Sequence, residues 1–309
     1  MNVMVDNLMR AFCELLEEAT WMGDKTKAEA HKKLAAMGRK IGYPDYGFID
    51  EEIEEKYKSL VMTPDNLYEN LDTLFWTKSK KRLNNTIESM NKTTWRKPTF
   101  LVNAFYSPRK NYIVFPAGIL QPPVFSERFP VSINYGAIGT IIGHEITHGF
   151  DNKGSQYDKD GLLRMWWQPE DWVHFKEKGQ RLIDRYGNFT DELSGMKING
   201  ITTQQENVAD NGGLKEGYRA YKKMTMGKED AKLLPGLNLT HDQLFFLSFA
   251  QRACWKATKA NAIAHVLSSK HAPNKFRVIG SLQNFPDFAK AYKCPVGSPM
   301  NPEKKCSVW

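Results

Sequence analysis

The stretch Ile141-Ile142-Gly143-His144-Glu145-Ile146-Thr147-His148-Gly149-Phe150-Asp151 places two histidines four residues apart, with a glutamate directly after the first. On a helix, His144 and His148 fall one above the other on the same face. Two neutral imidazoles so placed can share a tetrahedral zinc ion at N–Zn distances of about 2.0–2.1 Å. Glu145 lies beside the first ligand, where it reaches a metal-bound water instead of the metal. It is therefore the candidate general base of a metal-assisted hydrolysis. A core helix without metal could carry the same spacing, so companions elsewhere in the chain matter.

A catalytic zinc site takes a third protein ligand and keeps one position open. Gln205-Glu206-Asn207-Val208-Ala209-Asp210-Asn211-Gly212-Gly213 offers two carboxylates, again four apart on one helical face. Glu206 is the candidate third ligand. Asp210 can accept the far N–H of His144 and fix its tautomer, as partners of metal histidines commonly do. A solvated helix face would also show two such carboxylates. The small and apolar residues around them, Val208, Ala209, Gly212, Gly213 and Leu214, instead describe a helix pressed against another element.

At these residues the chain resembles the neprilysin family of zinc endopeptidases, which includes the endothelin-converting enzymes. The resemblance runs over nearly the whole chain. Its marks are Asn103-Ala104-Phe105-Tyr106, Phe115-Pro116-Ala117-Gly118, the zinc motif from Gly143 to Asp151 and Glu206 to Gly213. Leu234-Pro235-Gly236, His271-Ala272-Pro273, Phe276-Arg277-Val278 and Cys306-Ser307-Val308-Trp309 complete them. The resemblance implies a mainly α fold with a small β-sheet, a zincin-like (thermolysin-like) metalloprotease domain with glutamate as third zinc ligand. It implies one Zn²⁺ per chain and hydrolysis of small extracellular peptides.

Matched position by position, His271 would stabilise charge on the substrate carbonyl oxygen. Arg277 would grip a substrate carbonyl, a task suited to its rigid donor fork. Asn103 and Ala104 would hold the substrate backbone, and Ile119, Val124 and Ile141 would line the pocket for the residue after the cut. Arg252-Ala253 departs from the apolar, often aromatic, pattern that the family shows there. Family members are much longer and normally anchored by an N-terminal span. Residues 1–45 are thus expected to be a remnant of the non-catalytic helical domain, 46–102 connecting helices, and 103–309 the catalytic domain. The absent N-terminal part of the ectodomain would be needed to close the cavity. The alternative reading is a zinc-binding but poorly active fragment that serves as a binding or regulatory module.

Composition agrees with a globular chain. The 309 residues allow a substantial core, and 41% hydrophobic and 25% charged residues are ordinary for one. No apolar run approaches the roughly 20 residues of a membrane span, and the first residues lack the pattern of a signal peptide. The net charge of +8 is scattered, with one dense run at Lys78-Ser79-Lys80-Lys81-Arg82 on a predicted amphipathic helix. Nothing resembles a nucleic-acid-binding module. Asn84, Asn91, Asn188 and Asn238 stand in Asn-x-Ser/Thr sites, which beside the resemblance favour a glycosylated, extracellular setting. The spacing of Cys13, Cys254, Cys294 and Cys306 does not give connectivity. By the resemblance, Cys254 and Cys294 would pair with cysteines N-terminal to this stretch. The usual partner of Cys306 would fall near Arg181, and Cys13 matches no family cysteine.

Periodicity predicts helices over 5–19, 25–37 (capped by Asp24), 50–58, and from Thr63-Pro64 towards Ser89. Short strands are expected at 99–106 and 111–115, the first an edge beside the zinc helix where a peptide could add by main-chain hydrogen bonds. The zinc helix spans 134–150, followed by a turn at 158–161 and long helices at 169–185, 203–225 and 241–267. His31, His174, His241 and His265 have no comparable companions and are read as surface or core histidines.

Overall fold

The computed structural model describes residues 1–87, 95–226 and 233–309. The apolar spacing near the N-terminus forms α1 (Asn2–Glu18), with Leu8, Phe12 and Leu16 among its buried side chains. It is followed by α2 (Asp24–Ala35). Asp24 does not cap α2: Asp171, from a helix far along the chain, accepts the Gly23 N–H at 3.0 Å and the Thr26 hydroxyl. Next come β1 (Gly38–Gly42), α3 (Asp50–Tyr57) and α4 (Leu67–Ile87). α4 begins one turn later than Thr63-Pro64 predicts. The Asn70 side chain exchanges hydrogen bonds with the Thr63 backbone N–H and C=O at 3.0 and 2.7 Å, folding 63–66 into a turn against the helix. Ser89 and the site at Asn91 lie outside the described residues.

A small sheet follows, with β2 (Phe105–Ser107) and β3 (Tyr112–Pro116). β3 is central: β1 pairs with it in parallel, Ile41 beside Phe115, and β2 antiparallel, Phe105 beside Val114. Residues 99–104 do not join the ladder. The Thr99 carbonyl accepts the Gly118 N–H at 2.9 Å, so this segment crosses the turn after β3.

The zinc-motif helix has three parts: α5 (Val131–Asn134), a π-helical turn over Tyr135–Gly139, and α6 (Thr140–Thr147). A Cβ on Gly136 would stand 2.2 Å from the Phe245 carbonyl, so the bulge lies where a later helix crosses closely. Then come α7 (Pro169–Gly187), the hairpin β4 (Thr190–Asp191) and β5 (Met196–Lys197), and α8 (Gly200–Thr225). The single helix predicted over 241–267 is two, α9 (His241–Gln251) and α10 (Lys259–Ser268). The Thr258 hydroxyl accepts the Asn261 N–H at 3.3 Å and starts α10 afresh. α11 (Asn274–Gln283) and α12 (Pro286–Ala291) end the order.

α6 lies along α8, with α1 and α7 packed on α8 as well. The expected class therefore stands: mainly helical, with a small three-stranded sheet. No helix among the described residues is long and apolar enough to cross a membrane.

Candidate metal centre

Two helices bring the site together, and glycine sets their distance. A Cβ on Gly213 of α8 would stand 2.4 Å from the His144 backbone nitrogen, and one on Gly143 of α6 would stand 2.8 Å from Gly213 Cα. Only two bare backbones fit at this crossing. On the closed-up faces, His144 and Glu145 are buried on α6 and His148 at its C-terminal cap, with Glu206 and Asp210 buried on α8.

Each imidazole is held from behind by a carboxylate. His144 Nδ1 lies 3.0 Å from Asp210 Oδ1, and His148 Nδ1 lies 2.6 Å from Asp151 Oδ2. With Nδ1–H donated to these acceptors, Nε2 presents its lone pair. The two Nε2 atoms come within 3.2 and 3.5 Å of Glu206 Oε2. Yet neither Nε2 makes a hydrogen bond to Glu206, although both of its oxygens are buried. Three lone-pair donors thus converge without bonding one another. The two histidine–glutamate separations match the roughly 3.3 Å edge of a tetrahedron with ligand bonds of about 2.0–2.1 Å, so the donor set fits a zinc-sized cation. Donor atoms of His144, Glu145 and His148 also lie within 4.8 Å of one another. Glu145 is thus close enough to act at the metal.

Electrostatics follows from the same packing. Burial would raise the Glu206 carboxyl, and imidazole N–H groups of His144, His148 and His271 turned towards it in a metal-free site would hold it well below the usual carboxylate range. Burial acts likewise on Asp210, and Arg277 overcomes it. Glu145 goes the other way: burial raises it against the pull of His148 and His144.

The remaining predicted residues divide. His271 Nε2 stands 3.1 Å from Glu206 Oε2, at the metal side. Arg277 clamps Asp210, with Nε to Oδ2 at 2.7 Å and Nη2 to Oδ1 at 2.8 Å. Asn103 accepts the Ala104 N–H at 2.9 Å, just before β2. Ile119 is buried in the core, with Val124 and Ile141 half-buried against it. Among the described residues, no hydrogen bond ties Asn103 or Ala104 to the metal-side groups.

Sequence reasoning missed Asp151 as the partner of His148, although a carboxylate three residues after a helical histidine is a signal. It missed Lys270, whose Nζ lies 2.8 Å from Glu206 Oε1. Arg252, a departure from the family pattern in the sequence, stands 3.6 Å from Asp210 Oδ1 and over the Phe249 ring, contacts the sequence did not indicate. Burial pulls this guanidinium down to about 10.

Helices that present a His-Glu-x-x-His pair and a glutamate to one point, beside a small sheet, define a zincin-like metalloprotease fold. The sequence pattern of peptidase family M13 matches residues 103–308, and a second pattern of that family matches residues 1–44. This chain belongs to peptidase family M13.

It is 44% identical to neprilysin of Oryctolagus cuniculus over 308 residues, 99% of this chain and 41% of that protein. It is equally 44% identical to neprilysin-2 of Caenorhabditis elegans over 306 residues, 99% of this chain and 42% of that protein. The chain therefore spans about two fifths of the length of these relatives. Among solved structures, it is similar to Mycobacterium tuberculosis zinc metalloprotease ZMP1 in complex with inhibitor. There the TM-score is 0.87 at 34% identity, covering 95% of this chain and 44% of that one. The Haemonchus galactose-containing glycoprotein complex gives a TM-score of 0.87 at 31% identity, covering 99% and 49%.

Proposed function

We propose that this chain is the catalytic part of a zinc-dependent endopeptidase that cleaves small extracellular peptides. His144, His148 and Glu206 would hold the zinc. The supporting observation is the convergence of their three donor atoms, each histidine locked from behind by a carboxylate. A zinc ion held there would supply Lewis acidity, bringing a water to a pKa of about 7 and polarising the scissile carbonyl.

Glu145 takes the proton of the attacking water and returns it to the leaving amine. Its burial raises its affinity for that proton, as a base that must also act as an acid requires. His271 keeps 36% of its side chain accessible, leaving it free to donate to the carbonyl oxygen as charge develops. Arg277 spends two of its five N–H donors on Asp210, and the others can meet a substrate carbonyl. Asp210 fixes His144 and Arg277 together. Asn103 and Ala104, leading into edge strand β2, would pair with an extended peptide main chain. Ile119, Val124 and Ile141 supply apolar surface for the residue after the cut. The exposed sites at Asn188 and Asn238 support the extracellular setting.

The test is Glu145→Gln, assayed with a short fluorogenic peptide and by metal analysis. Zinc should stay stoichiometric while hydrolysis falls by about 10²–10⁴-fold. Loss of the zinc would overturn the assignment of Glu145 to the water.

A further inference from the structure

We propose that Lys33, on the N-terminal helix α2, is a positioning residue of the metal centre: its ammonium group pins the turn that presses Asp151 against His148. This rests on reading His148 as a metal ligand.

Lys33 is 1% exposed. Its Nζ donates to three backbone carbonyls, Gly149, Gly154 and Tyr157, each at 2.6 Å. Three donated bonds need three N–H groups, which only the ammonium form has. These carbonyls bracket Asp151 in the chain, one before it and two after, so a single cation closes the whole turn. Burial pulls Lys33 down to about 7, against the opposing pull of the Asp151 and Asp158 carboxylates. The rings of Phe150 and Trp166, 5.4 and 5.7 Å from Nζ, add attraction.

The turn has little slack. Asp151 Oδ1 accepts the N–H groups of Lys153 and Gly154, both at 2.7 Å, which leaves Oδ2 for His148. A Cβ on Gly154 would stand 1.8 Å from the His148 carbonyl, so the returning chain touches the end of the zinc helix. The Asn111 side chain donates to the carbonyls of Lys33 and Lys159 at 3.0 and 3.1 Å, tying α2, β3 and the turn into one unit. Without the ammonium, the Gly149 carbonyl would lose its partner, and those of Gly154 and Tyr157 would keep only the Tyr157 N–H at 3.0 Å and the Trp166 indole N–H at 3.1 Å. The turn would then relax by taking in water, and Asp151 would lose its fixed distance to His148.

Lys33→Met keeps the volume and removes the donors. The full chain carrying it, loaded with Zn²⁺ in competition with a chelator, should bind the ion about 10–100-fold more weakly, as loss of groups orienting a ligand does. Its Co²⁺ form should show a shifted visible spectrum. Lys33→Met combined with Asp151→Asn should bind no more weakly than Asp151→Asn alone, because Lys33 acts through Asp151. Leu34→Ala, on the same helix and 5% exposed, tests for mere loosening and should leave metal affinity unchanged despite lower stability. If Lys33→Met does not fold, Lys33→Gln, which keeps two donors, enters the same comparison. Affinity within twofold of wild type, or equal weakening by Leu34→Ala, overturns the proposal. A wild-type chain that binds no Zn²⁺ at all would instead overturn the reading of the site, and this inference with it.

Discussion

Glu216 shows how one residue near the metal helix can set a pH dependence without touching the chemistry. It is 0% exposed on α8, 2.6 Å from the Thr147 hydroxyl, which also lies 2.8 Å from the Gly143 carbonyl. Thr147 has one hydroxyl proton for these two acceptors, and a protonated Glu216 resolves the count by donating to it. Burial raises the Glu216 carboxyl well above its ordinary value, the Thr147 bond opposing only in part. The folded chain therefore keeps a proton that the unfolded chain releases above about pH 4.3. More protons bound in the folded state means that stability falls as pH rises, by about 1.4 kcal/mol per unit across that window. Glu216→Gln can donate the same bond and does not titrate. Chemical denaturation of both proteins at pH 5 and pH 8 should show the variant gaining on wild type at the higher pH. A constant difference would mean that Glu216 is ionised in the fold.

The crossing of α6 and α8 is the element on which the site depends, and it allows a sharper test than any single ligand. Gly213→Ala would put a methyl group 2.4 Å from the His144 nitrogen and 2.5 Å from the Thr140 carbonyl, both backbone atoms that cannot swing aside. Overpacking of this kind costs about 1–3 kcal/mol or more. The strain falls on the ligand pair itself, so thermal unfolding should drop and zinc affinity should fall with it. A variant that melts lower yet binds zinc as tightly would show that the helices can part without moving His144. Much of this element could be read from the chain. His144, His148, Glu206 and Asp210 reveal themselves by four-residue spacing, and Gly212-Gly213 by smallness, because helical geometry is local. β1 could not be read that way. Gly38-Arg39-Lys40-Ile41-Gly42 has no alternation, and its strand exists only through pairing with β3 some seventy residues on. The break between α9 and α10 is hidden in a helix-favouring run, and the chain becomes helical again only at the Thr258 cap. Lys33 is the extreme case: a lysine within a charged helix predicts a solvated side chain, and only the carbonyl cage overrides that.

At the scale of the molecule, residues 1–44 and residues 46–102 behave differently. α1 buries Met4, Val5, Leu8, Phe12, Leu15 and Leu16. Its neighbours include α6 and α8, and β1 completes the sheet. Residues 46–102 instead leave Phe48, Leu67, Tyr68, Leu71, Phe75 and Trp76 exposed. Burying one large apolar side chain contributes about 1.5–3 kcal/mol. Six of them rival the whole stability of a domain, about 5–15 kcal/mol. A fragment of residues 103–309 should therefore fail to fold, although it holds all three proposed zinc ligands and Glu145. In circular dichroism it should lack a cooperative melt, and it should bind zinc far more weakly than the full chain. Adding a peptide of residues 1–44 in trans should restore both, since α1, α2 and β1 carry the missing core surface and Lys33. Restoration by the peptide but not by one carrying Leu8→Asp and Phe12→Asp would tie the effect to the buried face of α1. A cooperative melt and full zinc affinity for the 103–309 fragment alone would show that the metal centre stands without the N-terminal helices.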